Sequence, residues 1–262
     1  MTSFEVVQAL AFALFGLTVG SFLTVVVYRV PRGESVVAPR SRCPSCGTTI
    51  RAVDNVPVVS WVLLRGRCHA CKTRIPARYP LTELANGVLW FAASAKYGDE
   101  IYTGVVVAVF FSLLLAVSLI DLEHKIIPNR VVYPATPLLA ALVVVGAALG
   151  KDFDVLGAVI GALAYGGVLL AVALVYPKGM GMGDVKLVAL IGLVLGALGL
   201  DLVVVAAALA FLLGGIGGIL ALTVGGKGRK SALPFGPFLA SGAVLAALFG
   251  AGIADWYLGL LR

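Results

Sequence analysis

Charge is what this chain lacks. Only 13% of its 262 residues are Asp, Glu, Lys or Arg and 60% are hydrophobic, whereas an ordinary soluble domain is about 25% charged. Its mean hydropathy is +1.04. A chain so poor in charge cannot cover its own surface in water, which excludes a soluble globule, and its apolar excess excludes disorder and collagen. Cysteine is scarce as well, with four in the whole chain, which excludes a disulfide scaffold. Long apolar runs are what remain, and they mark a polytopic, all-α membrane protein.

A hydrocarbon core of about 30 Å needs about 20 apolar residues in a helix. Eight stretches approach that length: 6–28, 81–97, 102–122, 131–150, 155–176, 185–200, 202–224 and 238–258. The weakest are 81–97 and 185–200, which are short and carry polar residues at their N-terminal ends. The first stretch has Glu5 in place of a basic leader region and exceeds the length of a signal core, so it is expected to remain as the first helix. The expected organisation is a first span at 1–28, a cytoplasmic insert at 29–80 and a seven-helix membrane domain at 81–262.

Lys and Arg set the orientation. Segment 29–80 holds ten of them, and loops on the same face add Lys125, Arg130, Lys178, Lys186, Lys227, Arg229 and Lys230, which makes 17 of the chain's 20. The other face keeps Lys96, Lys151 and Arg262 beside Asp99, Glu100, Asp152, Asp154 and Asp201. Both termini are therefore expected outside and segment 29–80 in the cytoplasm. Positive-inside bias and attraction to anionic headgroups account for that basic patch. Nucleic acid is not an expected partner, because no aromatic-interleaved or helix-turn-helix pattern accompanies the charge.

All four cysteines lie in the insert, as Cys43-Pro-Ser-Cys46 and Cys68-His-Ala-Cys71. Two C-x2-C knuckles at this separation match the zinc-ribbon pattern, in which four thiolates surround one structural Zn²⁺. A cytoplasmic insert of about fifty residues is too small for a stable core, so a metal crosslink gives it a reason to fold. Four thiolates close the coordination sphere and disfavour a catalytic ion. His69 lies within the second knuckle and could compete for a ligand position.

Acidic residues on the expected cytoplasmic face are few: Glu34, Asp54, Glu83, Asp121, Glu123 and Asp184. A carboxylate near the bilayer core is costly and marks function. Asp121 ends the third span, just before Pro128 and Asn129, and Asp184 opens the sixth after Gly181 and Gly183, with Lys186 two residues on. The glycines permit close backbone approach and unusual conformations. Two carboxyls at one site share a proton, so one can deprotonate water while the other protonates a leaving amine, as metal-free peptide hydrolysis requires. Alternatively, Asp121 pairs with Lys125 one turn on and Asp184 caps a helix. A proton-coupled transporter using both aspartates is a second reading, although both lie at span ends and the halves show no repeat. A zinc module that only recruits partners is a third, and it gives Asp184 no task. Gly157/Gly161, Gly192/Gly196 and Gly214/Gly218 sit four apart, as close-packed membrane helices prefer.

Taken together, these segments resemble the type IV prepilin peptidase family, the prepilin leader peptidases and N-methyltransferases. The resemblance is carried by Gly20-Ser-Phe-Leu-Thr24, Arg29-Val-Pro31, the two knuckles around Asp54-Asn55-Val-Pro57, Arg78-Tyr79-Pro80 through Glu83, Asp121 with Ile127-Pro128-Asn129, Gly181-Met-Gly183-Asp184-Val-Lys186, and Pro234-Phe-Gly-Pro237. It implies a GxGD intramembrane aspartic protease in the bacterial inner membrane, with Asp121 and Asp184 as catalytic aspartates. Gly181, Gly183, Lys186, Pro128 and Asn129 would support them. It further implies prepilin and pseudopilin substrates that lose a short basic leader, and methylation of the new N-terminus from S-adenosylmethionine. Thr24 stands where the family commonly has Asn, in the segment linked to the methyltransferase half. A basic leader held in the cytoplasm needs acidic contacts, for which Glu83 and Glu123 are candidates beside Glu34 and Asp54.

Overall fold

A computed structural model describes residues 2–177, 179–223 and 233–260. Lys178, Lys227, Arg229, Lys230, Arg262 and the expected end of the seventh span at Val224 lie outside the described residues. Within them run nine α-helices: α1 (Ser3–Arg29), α2 (Val59–Leu63), α3 (Arg78–Tyr97), α4 (Ile101–His124), α5 (Asn129–Ala148), α6 (Val155–Val175), α7 (Met182–Leu198), α8 (Leu200–Thr223) and α9 (Gly236–Leu260). No strand occurs among the described residues beyond two isolated bridges, Arg42 with Thr49 and Arg67 with Arg74.

Six of these helices, α1, α4, α5, α6, α8 and α9, are long and apolar enough to cross a membrane. The other two expected spans are helices that fall short of that measure. α3 carries Arg78, Glu83, Asn86 and Lys96 within its length. α7 has 17 residues, which rise only about 25 Å.

The chain forms two compact units, 1–112 and 113–262. In the first, α1 and α3 cross where glycines let their backbones touch. A methyl group added at Gly16 would stand 2.7 Å from Trp90, and one at Gly20 would stand 2.8 Å from the Glu83 Cα. The contact is then fixed by a buried polar chain. Asn86 Nδ2 donates to the Gly16 carbonyl at 2.7 Å, Ser112 Oγ to Asn86 Oδ1 at 2.9 Å, and Trp90 Nε1 to Ser112 Oγ at 2.8 Å. Every member is partnered, the condition under which a buried polar network specifies packing. Glu5, read above as out of place in a leader, forms a reciprocal cap with Thr2 at the start of α1, satisfying first-turn amides.

In the second unit the short α7 is the core. Val185, Leu187, Val188, Leu190, Ile191, Val194 and Leu195 are all buried, and α5, α6, α8 and α9 each pack against it. The closest approach is to α6. Gly161 faces Gly192, and Gly157 faces Gly196, so closely that a methyl group on any of them would strike backbone of the opposing helix. Those two pairs are packing surfaces, as expected. The third pair divides: Gly214 lies against the Phe235 ring, while Gly218 faces open space.

Candidate functional site

α4 continues to His124, past the expected end of its span, so Asp121 belongs to its last turn. Lys125, at φ +55, ends the helix and donates its N–H to the Asp121 carbonyl at 2.8 Å. The Asp121 side chain is only 5% exposed, and its Oδ2 accepts the Gly236 N–H at 2.9 Å. That amide belongs to the first residue of α9, behind Pro234 and Phe235, so the positive end of a helix faces the carboxylate.

α7 begins at Met182 with Gly181 as its cap residue, which places Asp184 in the first turn rather than at the cap. Neither Gly181 nor Gly183 has positive φ, so neither is required for an unusual conformation. Close approach is what Gly183 provides, since an added methyl group would stand 2.8 Å from the Ile127 Cβ. Ile127 lies in the link between α4 and α5, beside Pro128, the residue that precedes α5. Asn129 then opens α5, and its Oδ1 accepts from Lys186 Nζ at 3.0 Å. The same ammonium sits 4.8 Å over the Tyr133 ring. The start of α7, which carries Asp184, is thus held against the α4–α5 link that follows Asp121. Two acids 63 positions apart are thereby brought to one end of the second unit, on helices joined through that link.

Gly236 is the contributor the sequence reading missed. Its segment, Pro234-Phe-Gly-Pro237, was visible only as part of the resemblance, because an amide donor leaves no side-chain signature. Glu123 lies in the same last turn as Asp121, with its Oε2 3.9 Å from His124 Nε2.

Glu83 has a different setting, within the first unit. Its side chain is buried, and Oε2 accepts the Val58 N–H at 2.7 Å. Val58 has φ +60 and ψ −50 in a three-residue turn closed by the Val59 N–H on the Pro57 carbonyl, a strained geometry for a β-branched residue.

The knuckles are two copies of one small hairpin. The Cys43 N–H donates to the Thr48 carbonyl at 2.9 Å and the Cys68 N–H to the Thr73 carbonyl at 2.8 Å, and Gly47 and Lys72 donate back to Cys43 and Cys68. Gly47 and Lys72 both take left-handed φ, +70 and +59. All four Sγ atoms lie within 4.8 Å of one another, and Cys43 and Cys71 are 3.8 Å apart. Tetrahedral bonds of about 2.3 Å to one ion place thiolates about 3.8 Å apart, so the donor set fits a four-coordinate metal. Cys46 and Cys71 each have a threonine hydroxyl at 3.3 and 3.2 Å, Thr48 and Thr73. Hydrogen bonding with the side chains and backbone of these threonines holds both thiols below the ordinary range, Cys71 to about 6. His69 stands apart from the cluster, with Nδ1 3.1 Å from Arg51 Nη2 and 3.9 Å from Asp54. Arg51 also pairs with Asp54 at 2.7 Å and draws its carboxyl below the usual range.

Comparison with known proteins places both halves of the chain in one family. Residues 14–97 match the Bacterial Peptidase A24 N-terminal domain, and residues 108–219 match the Type IV leader peptidase family. The chain is 35% identical to the prepilin leader peptidase/N-methyltransferase of Bacillus subtilis (strain 168), over 94% of this chain and 96% of that one. It is 37% identical to the protein of the same name from Pseudomonas putida, over 90% and 89%. With that of Burkholderia pseudomallei (strain 1026b) the identity is 38%, over 92% and 85%. No solved structure matches. With both halves of the chain matched, and relatives aligned along nearly its whole length, the chain belongs to the type IV leader peptidase family.

Proposed function

We propose that this chain is an intramembrane aspartic endopeptidase that removes the leader from prepilins and pseudopilins at the cytoplasmic face of a bacterial inner membrane, and then methylates the new N-terminus. What supports the proteolytic part is the packing of the first turn of α7, which carries Asp184, against the link that follows the last turn of α4, which carries Asp121. The names of the relatives support both activities. The methyl donor, S-adenosylmethionine, rests on those names alone, and no residue of this chain is assigned to it.

In this reading the two carboxyls hold one proton and one water between them. The ionised partner takes a proton from the water as its oxygen attacks the scissile carbonyl, and the protonated partner donates to that carbonyl oxygen. Collapse of the tetrahedral intermediate passes a proton to the departing amine and restores the dyad. The Gly236 N–H occupies Asp121 Oδ2, leaving Oδ1 to face the water. Lys186, held by Asn129 and Tyr133, fixes the first turn of α7 and with it Asp184. Glu123, two residues after Asp121 in the same last turn of α4, is a candidate to receive a basic leader residue.

The four cysteines hold a structural Zn²⁺ that crosslinks the two hairpins, a role that leaves the chemistry to the aspartates. Positive-inside charge favours this domain in the cytoplasm and both termini outside.

The test is cleavage of a purified prepilin by the enzyme in lipid. Asp121→Asn and Asp184→Asn should each abolish leader loss, a drop of at least about 10³-fold, with membrane insertion and zinc content unchanged. Full cleavage by either variant removes that residue from the mechanism. Proton-coupled uptake by a proteolytically silent protein would instead favour a transporter.

A further inference from the structure

The short helix α2 is an odd object for a small metal-stapled domain. Its apolar residues point outward: Val59 is 53% exposed, Val62 59% and Leu63 77%. Spaced i, i+3 and i+4, they form one face, and Val56, one turn earlier, extends it at 45% exposed. The inward side is supplied by Ser60, buried, and by Trp61, whose Nε1 donates to the Ile75 carbonyl at 3.1 Å. An exposed apolar stripe of this kind marks a partner.

Where α2 is held identifies that partner. Its leading residue, Val58, is bonded through its N–H to Glu83, the sixth residue of α3 and about 7.5 Å along it from Arg78. At the same level α3 crosses α1 at Gly20, about 13 Å inside the end of α1 at Arg29. The tether therefore sets the start of α2 alongside the membrane helices, not above them. It does so at the cost of the strained Val58 turn, and such strain persists where surrounding structure enforces a position. Beyond the stripe come exposed Arg65 and Arg67, cations of the kind that meet anionic headgroups beside a buried apolar face.

We infer that α2 is an interfacial helix, its Val56–Val59–Val62–Leu63 face lying in the acyl boundary of the adjoining leaflet and Glu83 setting its depth. The inference rests on the membrane reading given above. The bilayer becomes the second support of the metal domain, beside the hydrogen bond from Val58 to Glu83.

The test uses the full-length protein in nanodiscs of phosphatidylethanolamine and phosphatidylglycerol, with p-benzoylphenylalanine placed at Leu63 or, as a reference, at Leu14 on the exposed face of α1. After irradiation, mass spectrometry reads the adducts. Lipid adducts are expected at both positions. Lipid at Leu14 with none at Leu63, or crosslinking of Leu63 to a second copy or to added prepilin, overturns the inference and leaves the membrane reading intact. Lipid at neither position overturns both. Glu83→Ala should reduce the Leu63 adduct to the unirradiated background while the Leu14 adduct persists. Glu83→Gln, which keeps an oxygen acceptor, should retain it. An undiminished Leu63 adduct in Glu83→Ala overturns the assignment of Glu83 as the tether.

Discussion

At Gly236 a methyl group would stand 2.8 Å from Asp121 Oδ2, so any side chain at the residue whose amide holds the carboxylate would push against it. Gly236→Ala is expected to displace the acid and lower kcat for leader cleavage about 10- to 100-fold, the scale on which misplacement of a reacting group is felt. KM should change little, and steady-state kinetics separates the two. Thr48 and Thr73 are the corresponding positioning groups for Cys46 and Cys71. Thr73→Val should weaken metal retention about 10-fold or more, read by competition with a chromophoric chelator. At this scale the side chains were legible and the backbone was not. Asp121, Asp184 and the four cysteines announce themselves by type and spacing, whereas the Gly236 amide and the bond between Glu83 and Val58 depend on how distant segments meet.

Elements were legible by apolar length, and least sharply where length and burial part company. The segment read as a weak span at 185–200 is the core helix α7, which needs no lipid-facing length because other helices enclose it. Its packing on α6 makes a sharp expectation. Gly192→Ala places a methyl group against the Gly161 carbonyl, and overpacking of this kind costs about 1–3 kcal/mol. A lower thermal midpoint in detergent checks it, and Gly218→Ala, facing open space, is the matched control. The helix α2 was not anticipated at all. Five residues are too few for periodicity to declare itself, and its place is set by Glu83 rather than by local preference.

For the whole molecule, charge asymmetry carries an expectation that packing does not. Added protease should remove tags from both termini in spheroplasts and leave the hairpin domain at 33–77 uncut until the membrane is opened. Cleavage of that domain in sealed spheroplasts would reverse the orientation. The bias was readable because it depends only on the order of loops along the chain. The division into 1–112 and 113–262 was not, because its boundary falls inside α4, where composition does not change.

The enclosure of α7 bears on what the enzyme can discriminate. On the proposed mechanism an incoming peptide meets this helix at its tip, where Asp184 stands, because α5, α6, α8 and α9 cover its flank. On this reading α7 contributes to recognition only around the cut and does not inspect the long apolar stem behind it. Chimeric precursors that keep the junction but exchange the stem should be processed alike, so one such protease could serve several dissimilar fibre subunits in a single cell.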